Sequence, residues 1–393
     1  MNSVYLDKIR SFYPNIPSFR RNIAKIRILR EKRKLLSLEE VKIGESSIAE
    51  KKRIVEDVFK RKPKLFKYTK PALEKLIDSV PEIKNRNNLD EFKIDVLFCR
   101  LAYGFQPDEY WCFGLEHQTM EERKKWISDI DRYIYVYKLN DLAESRIFNN
   151  KGLTYQKFGK YYKREALYIT SKKDNAAFNA FVEKHSVFVR KAVMGGLGRH
   201  VKLVDLNKTK KTAQDVFEDI IEHGPHIVEE RVIQGKETAV LNSSSVNTVR
   251  VITLNTRNGI EVLYTFMKVG RNGSFVDNGG AGGILVGIDK NSGVMNTNGF
   301  DELNIQYEKH PDSGIVFKGF QMPEWNKMLE ICKEMSSQIS DVRMIGWDMA
   351  YSNNGWLVIE GNGMSQLIGP QIVWQHGVKQ EFLSYLEKVD TIV

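Results

Sequence analysis

Ile345-Gly-Trp-Asp-Met-Ala-Tyr-Ser-Asn-Asn-Gly-Trp-Leu-Val-Ile-Glu-Gly-Asn362 reads as two strands joined by a tight turn. Asn353-Asn354-Gly355 fits a three-residue hairpin loop with glycine in the left-handed position. In that register residues 352 and 356 face each other, and Asp348 lies opposite Glu360. Asn362, two positions beyond Glu360, shares its face. One face of one hairpin thus gathers two carboxylates and an amide oxygen. Like charges placed opposite each other destabilise a hairpin, so the pattern predicts something that neutralises them. Hard oxygen ligands suit Mg²⁺, which is commonly held by one or two carboxylates plus substrate phosphates. A solvated polar face is the alternative reading, and Trp347, Trp356, Leu357 and Ile359 argue against full solvation.

The 393 residues suit two or three domains. Hydrophobic residues at 42% and charged residues at 28% indicate a soluble globular protein. No apolar run reaches the length of a membrane span. Residues 1–25 contain no apolar core of the signal-peptide type. Cys99, Cys112 and Cys332 are odd in number and lack metal-like spacing, so buried, reduced thiols in a cytoplasmic protein are expected. Of the net charge of +10, residues 20–34 hold +7, which leaves +3 for all the rest. That asymmetry argues against a nucleic-acid enzyme with a basic groove through its body. It suggests a basic helix added to a nearly neutral globule, with Ile23, Ile26 and Leu29 as a narrow apolar stripe. Such a run is often only a solvated face. As a partner, an anionic membrane surface or an acidic glycan fits the charge.

Residues 1–145 read as mostly helical, with Lys51–Lys60 and Glu121–Tyr137 near the 3.6 period. From about Ser186 strands take over: 187–191, 201–205, 226–233, 246–255, 261–269, 284–288, 344–351 and 357–360. Helices are expected at 212–223, 324–339 and 379–389. Hairpin turns such as Arg257-Asn-Gly259 point to largely antiparallel sheets with helices on one side, an α+β layout.

Phe188-Val-Arg-Lys-Ala-Val-Met-Gly-Gly-Leu-Gly-Arg-His-Val201 is a strand, a lysine, a glycine-rich turn and a second strand. Gly195, Gly196 and Gly198 permit close approach of backbone N–H groups to an anion, and Lys191 offers a point charge to phosphate. A glycine-rich β-turn also occurs simply as a turn. His200 follows it and stands near enough in sequence to touch a phosphate. His226-Ile-Val-Glu-Glu-Arg-Val232 is a short strand ending in acids, suited to an adenine edge and a ribose. With a three-residue loop at 257–259, Arg250 faces Phe266 and shares a face with Lys268, two cations that call for an anion between them. Asp277-Asn-Gly-Gly-Ala-Gly-Gly283 is a further glycine-dense turn.

In this order, the lysine and glycine loop, hinge acids, Arg/Lys hairpin and acid/acid/Asn hairpin resemble the ATP-grasp superfamily over roughly residues 150–370. Val246-Asn-Thr-Val-Arg-Val-Ile-Thr253, Val276-Asp-Asn-Gly-Gly-Ala-Gly-Gly-Ile284, Gly346-Trp-Asp348 and Ile359-Glu-Gly-Asn362 resemble its sugar-transfer-associated group. Asp95-Val-Leu-Phe-Cys-Arg-Leu-Ala-Tyr-Gly-Phe105 is similar to that group's N-terminal region. The resemblance implies an ATP-grasp fold: a helical region at 1–145, one lobe at 146–225 and a second at 226–393, clasping ATP. It implies that Lys151, Lys191, Gly195, Gly196, Gly198, Glu229, Glu230 and Val232 bind nucleotide. It further implies that Asp348, Glu360 and Asn362 hold Mg²⁺ and that Arg250 and Lys268 act in catalysis. Two departures stand out: Asn150 replaces the acid of an Asp-Lys element, and Ala192 replaces a proline after Lys191. The implied reaction is ATP-dependent joining of a carboxylate to an amine through an acylphosphate. The group's association with sugar-transfer systems implies work on cell-surface polysaccharide. A kinase of a sugar or alcohol with the same ATP cradle is the alternative, and a nucleotide-binding scaffold without turnover a third.

Overall fold

The structure, a computed structural model, describes residues 17–194, 201–277 and 282–393. The loop glycines Gly195, Gly196 and Gly198, His200 and most of the 277–283 turn lie outside the described residues. The longer helices include α1 (Pro17–Lys32), α2 (Ile48–Arg61), α3 (Thr69–Ser79), α4 (Leu89–Tyr103), α5 (Asp129–Leu139), α6 (Lys151–Tyr162) and α7 (Asn175–Lys184). Further along the chain come α8 (Ala213–His223), α9 (Trp325–Ser337), α10 (Ile368–Trp374) and α11 (Lys379–Leu386).

Strands β1 (Ala166–Ile169), β2 (Val187–Ala192), β3 (Val201–Asp205) and β4 (His226–Glu230) form an antiparallel sheet in the order β1-β4-β2-β3. Alternation along β2 decides its two faces. Phe188 points to α7 and α8, where it meets Phe178, Phe181, Val216 and Phe217. Val189 and Lys191 point the other way, into a cavity. α8 begins where Thr212 and Asp215 cap each other reciprocally, and it buries Val216, Phe217 and Ile220 against the sheet.

Strands β5 (Thr248–Thr256), β6 (Gly259–Val269), β7 (Ile284–Ile288), β8 (Met295–Phe300), β9 (Gln306–Tyr307), β10 (Met344–Ser352) and β11 (Gly355–Asn362) form the second sheet. Its order is β11-β10-β5-β6-β7-β8-β9, antiparallel throughout. The expectation of helices on one side fails here. One face packs Val249, Val251, Met267 and Trp347 against α6 and α9 through Phe158, Met328 and Cys332. The other packs Ile252, Leu254, Phe266 and Met344 beneath α2, α4, α10 and α11. A sheet covered on both faces has few outward polar positions, so the alternation that would have announced a solvated side is absent. The N-terminal helices therefore share one core with this sheet. The expected lobe boundary at 226 coincides with the first residue of β4, which hydrogen-bonds within the four-stranded sheet.

α1 corrects the apolar stripe. Its buried residues are Ala24, Ile28 and Glu31, packed near Ile130, Ile134 and Tyr137 of α5, while Ile26 and Leu29 are exposed. The three cysteines are buried and unpaired, as expected. Among the described residues no helix is long and apolar enough to cross a membrane.

Candidate active site

A cavity of about 390 Å³ lies between the two sheets. Lys151, Lys191, Glu229, Glu230 and Val232 line it from one side, and Lys268, Asp348 and Glu360 from the other. Eight of the residues singled out from sequence thus meet in one place. Arg250 joins them through Asp348. Asn362 shares a strand face with Glu360, opposite Gly346, and lies outside the lining.

The two hairpins that carry the site have one construction. In β10–β11 the pairing starts at Ser352↔Gly355, one residue tighter than the expected 352 opposite 356. Gly355 is left-handed as expected, with φ 79°. A bulge between Asp348 and Met349 then inserts Ile359 and restores Asp348↔Glu360. In β5–β6 the pairing starts at Thr256↔Gly259, and a bulge at Ile252/Thr253 restores Arg250↔Phe266. Both expected pairs hold at the site, although both loops are one residue tighter than expected. The β11 bulge also sends consecutive residues, Ile359 and Glu360, into the cavity wall, as a bulge can and a regular strand cannot.

Asp348 sits directly across from Arg250 in the neighbouring strand. Arg250 donates from Nε and Nη2 to its two carboxylate oxygens, at 2.5 and 2.9 Å. Lys268 Nζ lies 3.1 Å from Asp348 Oδ2. Asp348 is thus the anion that the Arg250/Lys268 pair required. Burial alone would raise its pKa, but Arg250 and Lys268 outweigh burial and hold it at about 2. Asp277, also in the cavity lining, accepts from Thr248 N and Oγ1, at 2.9 and 2.5 Å, and burial pushes its carboxyl up.

On the opposite wall Glu229 Oε2 accepts from Arg164 Nε and Nη2 and from Lys191 Nζ, at 2.9, 2.7 and 2.9 Å. Burial again opposes ionisation, and Arg164 and Lys191 hold this carboxyl at about 2. Glu229 is 3% exposed, so its charge faces its two partners, and Glu230 is the more open hinge acid. Lys151 opens α6, and Asn150 caps that helix by accepting from Gly152 N at 2.9 Å and Leu153 N at 3.2 Å. Asparagine performs this capping as well as aspartate, which accounts for the departure at 150. Burial lowers the pKa of the Lys151 ammonium, with Glu360 opposing.

Arg164, Thr248 and Asp277 were not assigned roles from sequence. Arg164 sits in no motif, and its partner is 65 residues away. Asp277 opens a glycine-dense turn, whose glycines rather than its acid carry the local signal.

The donor set bears on a metal. Among the described residues no cluster of three or more His, Cys, Asp or Glu forms a metal cage. Two facing carboxylates, Asp348 and Glu360, beside a cavity fit a hard cation whose remaining ligands are phosphate oxygens and water. Such a cation would have to share Asp348 with Arg250 and Lys268.

A search of curated proteins gave no match. Among solved structures the chain is similar to the D-alanine-D-alanine ligase from Coxiella burnetii, at 12% identity and TM-score 0.39, covering 73% of this chain and 66% of that one. It is also similar to the ATP-grasp ligase PsnB complexed with a minimal precursor, at 12% identity and TM-score 0.35, covering 60% and 63%. A third is the ADP complex of purK, N5-carboxyaminoimidazole ribonucleotide synthetase, at 12% identity and TM-score 0.37, covering 62% and 52%. The chain thus spans less than two thirds of the length of PsnB and of purK. Residues 131–390, more than half of the chain, match the family model for sugar-transfer associated ATP-grasp proteins, and the protein belongs to that family.

Proposed function

We propose that the protein is an ATP-dependent carboxylate–amine ligase. The observation that carries this reading is the cavity between the sheets, where Lys151, Lys191 and Lys268 converge with Asp348 and Glu360. Phosphoryl transfer depends mainly on positioning and charge neutralisation. Lys151 and Lys191 bind phosphate oxygens, and residues 230–234 hold the nucleoside. Mg²⁺ on Asp348 and Glu360, with Asn362 nearby, supplies charge neutralisation at the phosphates when bound. Arg250 and Lys268 fix Asp348 in its ionised form, and Lys268, which lines the cavity, faces the oxygens that gain charge.

A substrate carboxylate oxygen attacks the γ-phosphorus, and the bond to the β–γ bridging oxygen breaks. ADP leaves with that electron pair, and an acylphosphate forms. An amine then attacks the acyl carbon, phosphate departs, and loss of a proton from nitrogen leaves an amide. No side chain forms a covalent bond in this scheme. The group's sugar-transfer association supports an acid or amine carried on a glycan.

The test is product analysis over pairs of acids and amines. The ligase reading expects ADP and free phosphate together, only when both substrates are present, with an amide of the summed mass less water. ADP without free phosphate, and a phosphorylated sugar or alcohol, would establish the kinase. Nucleotide binding with neither product would leave a scaffold.

A further inference from the structure

We propose that α1 is a peripheral docking element for an anionic bilayer surface. The helix has two unlike faces. Its inner face is tied down: Ala24, Ile28 and Glu31 are buried, Arg20 Nη1 lies 3.1 Å from Asp141 and 3.4 Å from Glu144, and Arg27 stacks over Tyr137 at 5.6 Å. The outer face carries the rest. Arg21, Lys25 and Leu29 follow one another at four-residue spacing, with Arg33 four residues on, just past the helix end, and Ile26 and Arg30 form the adjoining row. All six are exposed, Ile26 at 65% and Leu29 at 52%. The helix is therefore held rigidly by one face while it presents cations around two aliphatic side chains on the other.

Aliphatic groups among cations distinguish the partner. Lysine and arginine attract any polyanion, but Ile26 and Leu29 gain only from a partner with apolar depth. Such a face suits the boundary between lipid headgroups and acyl chains.

A second cationic stretch has the same character. Residues 59–70, from the end of α2 to the start of α3, hold six Lys/Arg and no acid. With +7 in 20–34 and +6 in 59–70 against +10 overall, the remaining residues net −3. The globule is thus slightly acidic outside two basic segments. Tyr68 is 75% exposed here, and Phe59, 40% exposed, lies 3.6 Å beneath Lys70 Nζ. Aromatic rings beside cations favour the headgroup level of a bilayer. A second attachment strengthens a weak one when both reach the same surface.

The test is co-sedimentation of the full chain with phosphatidylcholine vesicles, with and without about 30% phosphatidylserine, at low and high salt. Binding is expected to anionic vesicles only and to fade with salt. R21Q/K25Q/R30Q/R33Q is expected to lose at least about tenfold in affinity. I26S/L29S is expected to lose several-fold, with unchanged melting and unchanged ATP turnover in both variants, since these positions are exposed and absent from the cavity lining. Arg20 and Arg27 are left intact because they hold the helix to the body. The proposal is overturned if the wild type stays in the supernatant with anionic vesicles, or if either variant binds as the wild type does. It is equally overturned if a soluble polyuronate binds through the same arginines while vesicles do not.

Discussion

Each wall of the cavity holds a buried carboxylate clamped between an arginine and a lysine, Glu229 with Arg164 and Lys191 on one side and Asp348 with Arg250 and Lys268 on the other. Both carboxyls are pulled to about 2. The arginines tell the two apart. Arg164 spends Nη1 on backbone carbonyls, Tyr162 O at 3.1 Å and Val358 O at 2.8 Å. Val358 belongs to β11 of the larger sheet, so this guanidinium joins one sheet's acid to the other sheet's backbone. Among the described residues, Arg250 gives its hydrogen bonds to Asp348 alone, opposite Glu360. The same three residue types thus serve in one place as a strut between sheets and in the other as a charged surface facing the cavity.

The contrast breaks most severely at Arg164. Arg164→Leu leaves Glu229 with one cation and Val358 O without its donor, deep in the protein. Removing one partner of a buried pair costs about 3–5 kcal/mol. Denaturant unfolding of Arg164→Leu is expected to show a loss of that size. A variant that unfolds like the wild type would mean the strut carries no load between the sheets.

Glu360→Gln tests the other half. Glu360 is half-buried beside Asp348, and the substitution keeps its shape while removing charge. Asp348→Asn would be less clean, since it strands Arg250 and Lys268. ATP turnover in Glu360→Gln is expected to fall about 10²–10³-fold, equivalent to about 3–4 kcal/mol, while melting stays near that of the wild type. Full turnover would remove Glu360 from the site. Mg²⁺ should raise the melting temperature of the wild type only with nucleotide present, and not that of this variant.

Much of this was legible in sequence, unevenly. The pairs Asp348/Glu360 and Arg250/Phe266 followed from turn residues and the two-residue period. They came out right because two offsets cancelled: each loop pairs one residue tighter, and each strand pair gains one bulged residue, Ile359 or Leu263. Neither bulge residue carries a signal, for both are ordinary apolar strand formers. β8, Met295-Asn-Thr-Asn-Gly-Phe300, was missed because its residues are mostly polar or glycine, and its strand form depends on β7 beside it. Arg164 was invisible for a different reason. Its role exists only through contacts made far along the chain, and no local pattern encodes them.

Acid titration sharpens the comparison further. Both carboxyls have folded pKa values of about 2, below their ordinary 4.5 and 3.8. A depressed carboxylate stabilises fully above its unfolded pKa and loses that contribution as pH falls toward the folded value. Stability should therefore drop between about pH 4.5 and pH 2, by on the order of 2–3 kcal/mol for each cluster. In Arg164→Leu the Glu229 share should be lost already at higher pH, leaving a shallower acid limb. An acid limb identical to the wild type would mean that Lys191 alone sets the Glu229 charge.

The smallest effect concerns the twin hairpins. Gly259 and Gly355 close their loops at φ 112° and 79°, where an L side chain is strained. A Cβ at 259 meets nothing within 4 Å, and one at 355 meets only the ends of Glu324 and Lys163 at 3.6 Å, so strain rather than collision sets the cost. Gly259→Ala and Gly355→Ala should each cost about 1 kcal/mol in denaturant unfolding. Neither should change KM for ATP, because the restoring bulge lies between each tip and its site residues and fixes the register there independently of the loop. If Gly355→Ala alone raised KM, the loop of β10–β11 would be setting the position of Glu360, and the two hairpins would no longer be equivalent devices.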